Sequence, residues 1–201
     1  MNRRQTIPKE LRYTRNHMLL SEDVQLEGST VEMDETYVGG RRRKNVQYTE
    51  SNKTIVVGMV ERKGGRVKAV IADDTSRKSL HDIAKEYILP KSVVFTDEHP
   101  SYHGLEKYEL NHARINHSQG VYMYGNIHTN TIEGFWSLVK RGLGGVYHSV
   151  SKKYLQTYLN EYSFRYNHRA CGNLIFPLIL ERASQPELLR TSLPAEKNLP
   201  V

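Results

Sequence analysis

Apolar and polar positions along this chain follow first one period and then another. From Thr30 to Val38 they alternate. Val31, Met33 and Tyr37 fall on one side, Glu32, Asp34 and Thr36 on the other, which predicts a strand. Gly39-Gly40 breaks it. Thr54 to Val60 is β-branched and apolar, Lys63-Gly64-Gly65-Arg66 carries a hairpin turn signal, and Val67 to Ala72 returns. Three antiparallel strands therefore come first, as a meander. Asp73 to Ser76 then gives an acidic, hydroxyl-rich start to a helix with Leu80, Ile83, Ala84, Tyr87 and Ile88 at helical spacing, which Pro90 stops. Ser92 to Thr96 is a continuous apolar run, the mark of a strand buried on both faces. A helix before it and a buried strand after it predict a crossover onto the same sheet.

Further on, Ser101 to Lys107 reads as a short helix. Tyr108 to His117 reads as a last strand, with His112, Arg114 and Asn116 alternating against Ala113 and Ile115. Residues 119–127 read as a loop. The next stretch, His128 to Gly142, organises the chain. Ile132, Phe135, Trp136 and Val139 form one apolar stripe at helical spacing, while Glu133, Ser137 and Lys140 share a side face. Gly142, Gly144 and Gly145 are expected to end this helix. Asn130 followed by Glu133 also reads as a capping box, which would explain that acid without any chemistry. A second long helix follows Ser151, with Leu155, Tyr158, Leu159, Tyr162 and Tyr166 as its stripe and Glu161 with Arg165 as a surface pair. Residues 1–29 read as a polar lead-in, with a short helix over Pro8 to Leu20. Pro177 opens a brief helical piece, and residues 171–201 form a C-terminal tail, disordered from Ser184.

Composition narrows the partners. The 201 residues suit one domain with appendages, and a net charge of +7 with a pI near 9.4 points to a polyanion. The one cysteine, Cys171, excludes a disulfide framework or an all-cysteine zinc site within these residues and suits a reducing cytoplasm. The first residues lack the apolar core of a signal peptide, and no run reaches membrane-spanning length.

Three acids stand out against this basic background. Asp34 is mid-strand, Asp97 ends the buried strand, where open α/β sheets place ligands, and Glu133 lies on the late helix. Carboxylates converging on one point repel unless cations neutralise them. Hard oxygen donors with open positions suit Mg²⁺ or Mn²⁺, and two such ions serve in-line phosphoryl displacement. Asp73 and Asp74 are accounted for more simply by capping and dipole compensation. The basic run Arg41-Arg42-Arg43-Lys44 reads as a solvated loop or, functionally, as a phosphate contact near Asp34.

Three blocks carry a resemblance: Val31-Glu32-Met33-Asp34-Glu35-Thr36-Tyr37-Val38-Gly39-Gly40, Phe95-Thr96-Asp97-Glu98-His99-Pro100-Ser101-Tyr102, and His128 to Gly142. In this order and spacing they resemble the DDE-type transposases of bacterial insertion sequences, most closely the ISXO-type subgroup. Tyr154 to Arg169, ending Phe164-Arg165-Tyr166-Asn167-His168-Arg169, is similar to that group as well. The resemblance covers roughly residues 25 to 170. It implies an α/β, RNase H-like (retroviral-integrase-like) catalytic domain over 30–170, with a mixed five-stranded sheet and flanking helices. It also implies Mg²⁺- or Mn²⁺-dependent cutting and joining of transposon ends, with two ions. Asp34, Asp97 and Glu133 match the acidic triad that holds the metal. Lys140 matches the basic residue near the scissile phosphate, and Arg141, Arg41, Arg42 and Arg43 are further candidates for DNA contact. His128 and Asn130 belong to the same motif without an assigned role. The implied partner is double-stranded DNA, both transposon ends and target, bound by a homo-oligomer in the cytoplasm and at the nucleoid.

The sequence departs from the subgroup in one respect. Members usually carry a zinc ribbon and a helix-turn-helix before the first Asp, whereas here 33 residues precede Asp34 and none is Cys. The chain therefore reads as a catalytic domain without its terminal-repeat reader. Two competing readings are an RNase H-like nuclease that cuts without joining and an inactive DNA-binding remnant. A decaying copy loses catalytic acids readily, yet all three are present.

Overall fold

The computed structural model describes residues 25–26, 30–39, 53–114, 129–147 and 150–183. Its strands are β1 (Thr30–Gly39), β2 (Lys53–Glu61), β3 (Val67–Ala72), β4 (Val93–Thr96) and β5 (Asn111–Arg114). Its α-helices are α1 (Arg77–Tyr87), α2 (Asn130–Arg141), α3 (Lys152–Asn167) and α4 (Ile175–Ala183). The strands form one sheet in the order β3-β2-β1-β4-β5. The β1–β2 and β2–β3 pairs are antiparallel, while β4 runs parallel to β1 and β5 parallel to β4. This is the mixed five-stranded sheet with flanking helices that an RNase H-like fold requires.

Each face of the sheet has its own core. On one side Val31, Met33, Val57, Met59 and Val94 meet Leu80, Ala84 and Ile88 of α1 and its C-cap, together with Tyr102 and Leu105. On the other, Val56, Val60, Val67 and Ala69 meet Ile132, Phe135, Trp136 and Val139 of α2 and Leu155, Tyr158 and Leu159 of α3. The stripe predicted for α2 is thus the buried one, all four residues being at most 4% exposed. Alternation along β1 sends Val31 and Met33 to the α1 side. Glu32, Asp34 and Thr36 take the opposite direction, the α2 side. Tyr37, expected beside Val31 and Met33, is half exposed because it lies near the strand's end.

The edge of β3 is closed by side chains from α3. Asn167 accepts from the Val67 N–H at 2.7 Å and donates to the Val67 carbonyl at 3.1 Å. Gln156 does the same for the Ile71 N–H and the Ala69 carbonyl, both at 2.9 Å. Two amide side chains thus occupy backbone groups that an edge strand would otherwise offer to another chain.

Several boundaries differ from the sequence reading, each for a local reason. Ser76 caps α1 by accepting from the Ser79 N–H, so the helix starts at Arg77 and leaves Asp73 and Asp74 outside. The short helix expected after Asp97 is two 3₁₀ turns, Pro100–Tyr102 and Leu105–Tyr108, separated by Gly104 at φ 95°. The second turn takes Tyr108 from the last strand, which begins at Asn111. The glycines after α2 do not stop it by a left-handed turn. Gly142 is helical, and a π turn runs on through Val146. What keeps position 142 free of a side chain is the Tyr162 ring and hydroxyl, which a Cβ there would strike. Glu161 and Arg165 pair at 3.0 Å as expected, but Glu161 is buried rather than on the surface. The expectations for the lead-in helix, for Arg41 to Lys44, for residues 115–128 and for the tail from Ser184 lie outside the described residues.

Candidate active site

Asp34 and Asp97 are brought together by strand register. β1 pairs with β4 as Thr30 with Val93, Val31 with Val94 and Glu32 with Phe95. Two residues further along the same register, Asp97 follows the end of β4 beside Asp34. Both side chains are half-buried. Burial first, then the neighbouring Glu35 and in smaller measure Asp97, raise the Asp34 carboxyl to about 7. The Asp97 carboxylate also accepts from the His99 N–H at 2.9 Å, which shapes the turn behind it. Thr96, fully buried, donates to the Asp97 carbonyl at 2.8 Å and meets His112 Nε2 at 2.8 Å. The end of β4 is therefore fixed from β5 as well.

Two residues of this neighbourhood were not singled out by the sequence. Glu35 accepts from the hydroxyl of Tyr102, a fully buried tyrosine. Burial and then Glu35 push that hydroxyl's pKa well up, so it remains a donor. Glu32, also fully buried, fastens α2 to β1. Its carboxylate accepts from the N–H of Thr131 and of Ile132, both at 2.9 Å, and from the Thr131 hydroxyl at 2.8 Å. Arg62 Nε bonds the same carboxylate at 2.8 Å, and its guanidinium lies 4.2 Å from the Phe95 ring centre. A carboxylate at a helix N-terminus, partnered by a cation, satisfies first-turn amides and complements the helix dipole. The one available signal was the alternation itself, which puts Glu32 on the same side of β1 as Asp34.

The capping box expected at Asn130 and Glu133 is replaced by this arrangement. Thr129 is the N-cap residue and makes no side-chain cap bond, since Glu32 takes the amides of Thr131 and Ile132. Glu133 sits one position too late for the box. Its side chain is exposed and accepts from the Thr129 hydroxyl at 3.3 Å. The cap reading does not explain this acid.

Trp136, one turn beyond Glu133, donates its indole N–H to Asp34 Oδ2 at 3.0 Å. Lys140 and Arg141 are exposed in the last turn of α2, and Arg141 Nε reaches back to the Ser137 carbonyl at 3.2 Å. Glu133 and Lys140 occupy the same side of the helix about 10 Å apart along its axis. Arg41, Arg42, Arg43 and His128 lie outside the described residues.

Asp34 and Asp97 are adjacent, but Glu133 does not join them in a single cluster. Among the described residues, no group of three or more His, Cys, Asp or Glu side chains stands ready to hold a metal ion. The donor set nevertheless fits a hard divalent cation. Mg²⁺ is commonly held by one or two carboxylates, with water and substrate phosphate completing its shell. The Asp34 carboxyl is raised by burial first and by the Glu35 and Asp97 charges second, and a cation beside it would favour its ionised form. Asp34 and Asp97 would hold such an ion. Among the described residues no helix is long and apolar enough to cross a membrane.

Comparison with known proteins places the chain. Among solved structures, the catalytic core domain of BIV integrase is 13% identical with a TM-score of 0.46, over 78% of this chain and 97% of that one. A chain of the simian T-cell lymphotropic virus intasome, solved in complex with PP2A regulatory subunit B56 gamma, is 12% identical with a TM-score of 0.42, over 68% and 48%. An uncharacterized transposase-like protein of Haemophilus influenzae is 33% identical over 103 residues, which make up 51% of this chain and 82% of that protein. The family described as the ISXO2-like transposase domain matches residues 25–167, a span that holds Asp34, Asp97, Glu133 and Lys140. The chain belongs to the ISXO2-like transposase family.

Proposed function

We propose that residues 30–170 form a DDE catalytic domain that cleaves DNA at insertion-sequence ends and joins those ends to target DNA, with Asp34, Asp97 and Glu133 as its catalytic acids. The observation that carries this reading is the register that sets Asp97 beside Asp34, on neighbouring strands at the middle of the sheet. Two divalent ions, Mg²⁺ or Mn²⁺, would supply activation of the attacking oxygen and stabilisation of the leaving oxygen. The chain's own residues bind and orient. Asp34 and Asp97 present carboxylate oxygens from the sheet. Glu133 presents its carboxylate from the first turns of a helix that Glu32 fastens to the same strand. Lys140 and Arg141, exposed further along that helix, hold phosphates of the DNA backbone, and Arg41, Arg42 and Arg43 extend the basic surface. The partner is double-stranded DNA, and two ends require two active sites, hence a homo-oligomer on DNA.

The test uses a labelled duplex carrying a transposon end, incubated with the purified chain and a target duplex. The reading expects cleaved and joined products with Mg²⁺ or Mn²⁺ and none with EDTA. Cleavage without joining would move the assignment to a nuclease of the same fold, and no reaction on any duplex would leave a DNA-binding protein.

A further inference from the structure

Trp136 is a core residue by burial, 4% exposed, yet its polar edge is aimed at the site. The ring lies against Gly58, where a Cβ would come within 2.5 Å of Trp136 Cζ2. Gly58 is the cross-strand partner of Asp34. A missing side chain on β2 thus admits the indole to the position next to Asp34, and Nε1–H bonds Oδ2 at 3.0 Å. Indole has one donor and no acceptor, so its whole hydrogen-bonding capacity goes to this carboxylate. Glu32 holds α2 at Thr131 and Ile132, and Trp136 holds it at Asp34. Glu133 lies between these two attachments.

We propose that Trp136 is a positioning residue, whose indole N–H, seated on Gly58, fixes the orientation of the Asp34 carboxylate toward a divalent cation and the setting of the Glu133 turn beside it. This rests on the metal-binding role assigned to Asp34 above. A buried indole N–H needs an acceptor in any protein core, so loss of stability alone does not distinguish positioning from packing. A metal-linked signal does. Trp136 is the one tryptophan of the chain, so its indole N–H resonance reports on Asp34 without ambiguity.

The experiment follows that resonance in the ¹⁵N-labelled full-length chain during titration with Mg²⁺. In parallel, Mn²⁺ binding to the parent, Trp136→Phe and Asp34→Asn is measured by the electron paramagnetic resonance of free Mn²⁺. Partners that orient a metal ligand are worth roughly ten- to a hundredfold in affinity. Trp136→Phe keeps the aromatic bulk and is expected to weaken Mn²⁺ binding at least about tenfold, with an unchanged far-ultraviolet circular dichroism spectrum. The indole resonance of the parent is expected to shift in step with saturation. Equal Mn²⁺ affinity in a folded Trp136→Phe, or an indole resonance that stays still while metal saturates, overturns the positioning role and leaves the metal reading intact. A parent that binds Mn²⁺ no better than Asp34→Asn overturns the metal reading and this inference with it. Should Trp136→Phe not fold, the resonance in the unaltered chain decides.

Discussion

Asp97 stands beside Asp34 because the parallel pairing of β1 with β4 runs on past its last bonded residues. Neither side chain could be moved away from the other without shifting the two central strands against each other. A one-residue slip would also turn Val31 and Val94 out of their core. The proximity of like charges is therefore built into the sheet, and the cost of ionising Asp34, set first by burial, then by Glu35 and in smaller measure by Asp97, appears in its raised carboxyl.

That cost predicts a pH dependence. Burial and the neighbouring Glu35 let folded Asp34 keep its proton up to about pH 7, against an ordinary carboxyl value of 3.8. Between these values the folded chain binds more protons, so the stability contributed by this group falls as pH rises and levels off above about 7. The loss is on the order of a few kcal/mol. Urea denaturation at pH 5 and pH 8 is expected to show a larger fall for the parent than for Asp34→Asn, and Mg²⁺ should restore stability to the parent chiefly at pH 8. Parallel pH profiles for the two chains would contradict the buried, repelled carboxyl.

Glu32→Ala removes the acceptor for two α2 amides and the Thr131 hydroxyl, and leaves Arg62, 11% exposed at its side chain, without this carboxylate. Breaking a buried ion pair from one side costs about 3–5 kcal/mol. Chemical denaturation should register a loss of that order, and amide exchange should quicken first at Thr131 and Ile132. A loss below about 1 kcal/mol, the size of an exposed pair, would show that the clamp does not hold the helix.

Asn167→Ala opens the β3 edge at Val67, where one side chain serves both a backbone N–H and a carbonyl. Two hydrogen bonds, at about 1 kcal/mol each net, set the expected destabilisation at about 2 kcal/mol. The uncovered strand edge also favours self-association. Light scattering during mild heating should detect aggregation earlier than in the parent.

Lys140→Ala tests the basic side of α2. Loss of one phosphate contact is expected to weaken DNA binding uniformly and to reduce the slope of log affinity against log salt by about one, with Mn²⁺ affinity unchanged. An unchanged slope would return Lys140 to a solvated lysine that complements the helix dipole.

Much of this fold was legible in the sequence because periodicity and burial agree. The α2 stripe is buried as read, and Val31 and Met33 of β1 and Val94 of β4 enter the core as their patterns predict, although Tyr37 is exposed and Glu32 and Thr36 on the opposite side of β1 are buried. Three features were not legible because they depend on partners distant in sequence. Glu32 reads as an exposed strand residue until α2 arrives about a hundred positions later to be capped by it. Asn167 and Gln156 lie off the apolar stripe of their helix and carry no signal of their role until β3 lies alongside. Gly142 reads as a helix stop until Tyr162 crosses above it. Local rules also offered Glu133 a capping box for the same reason, since the acceptor that replaces the box comes from another element.

The central claim is that Asp34, Asp97 and Glu133 act together in metal-dependent phosphoryl transfer on DNA. Its most direct test is the single-turnover cleavage rate of an end-labelled transposon duplex in Mg²⁺, measured for the parent and for Asp34→Asn, Asp97→Asn and Glu133→Gln at matched DNA occupancy. A cation that stabilises transition-state charge is worth several kcal/mol, so each variant should cleave at least about a hundredfold more slowly. Cleavage at the parental rate by any one of the three, Glu133→Gln above all, would contradict the account.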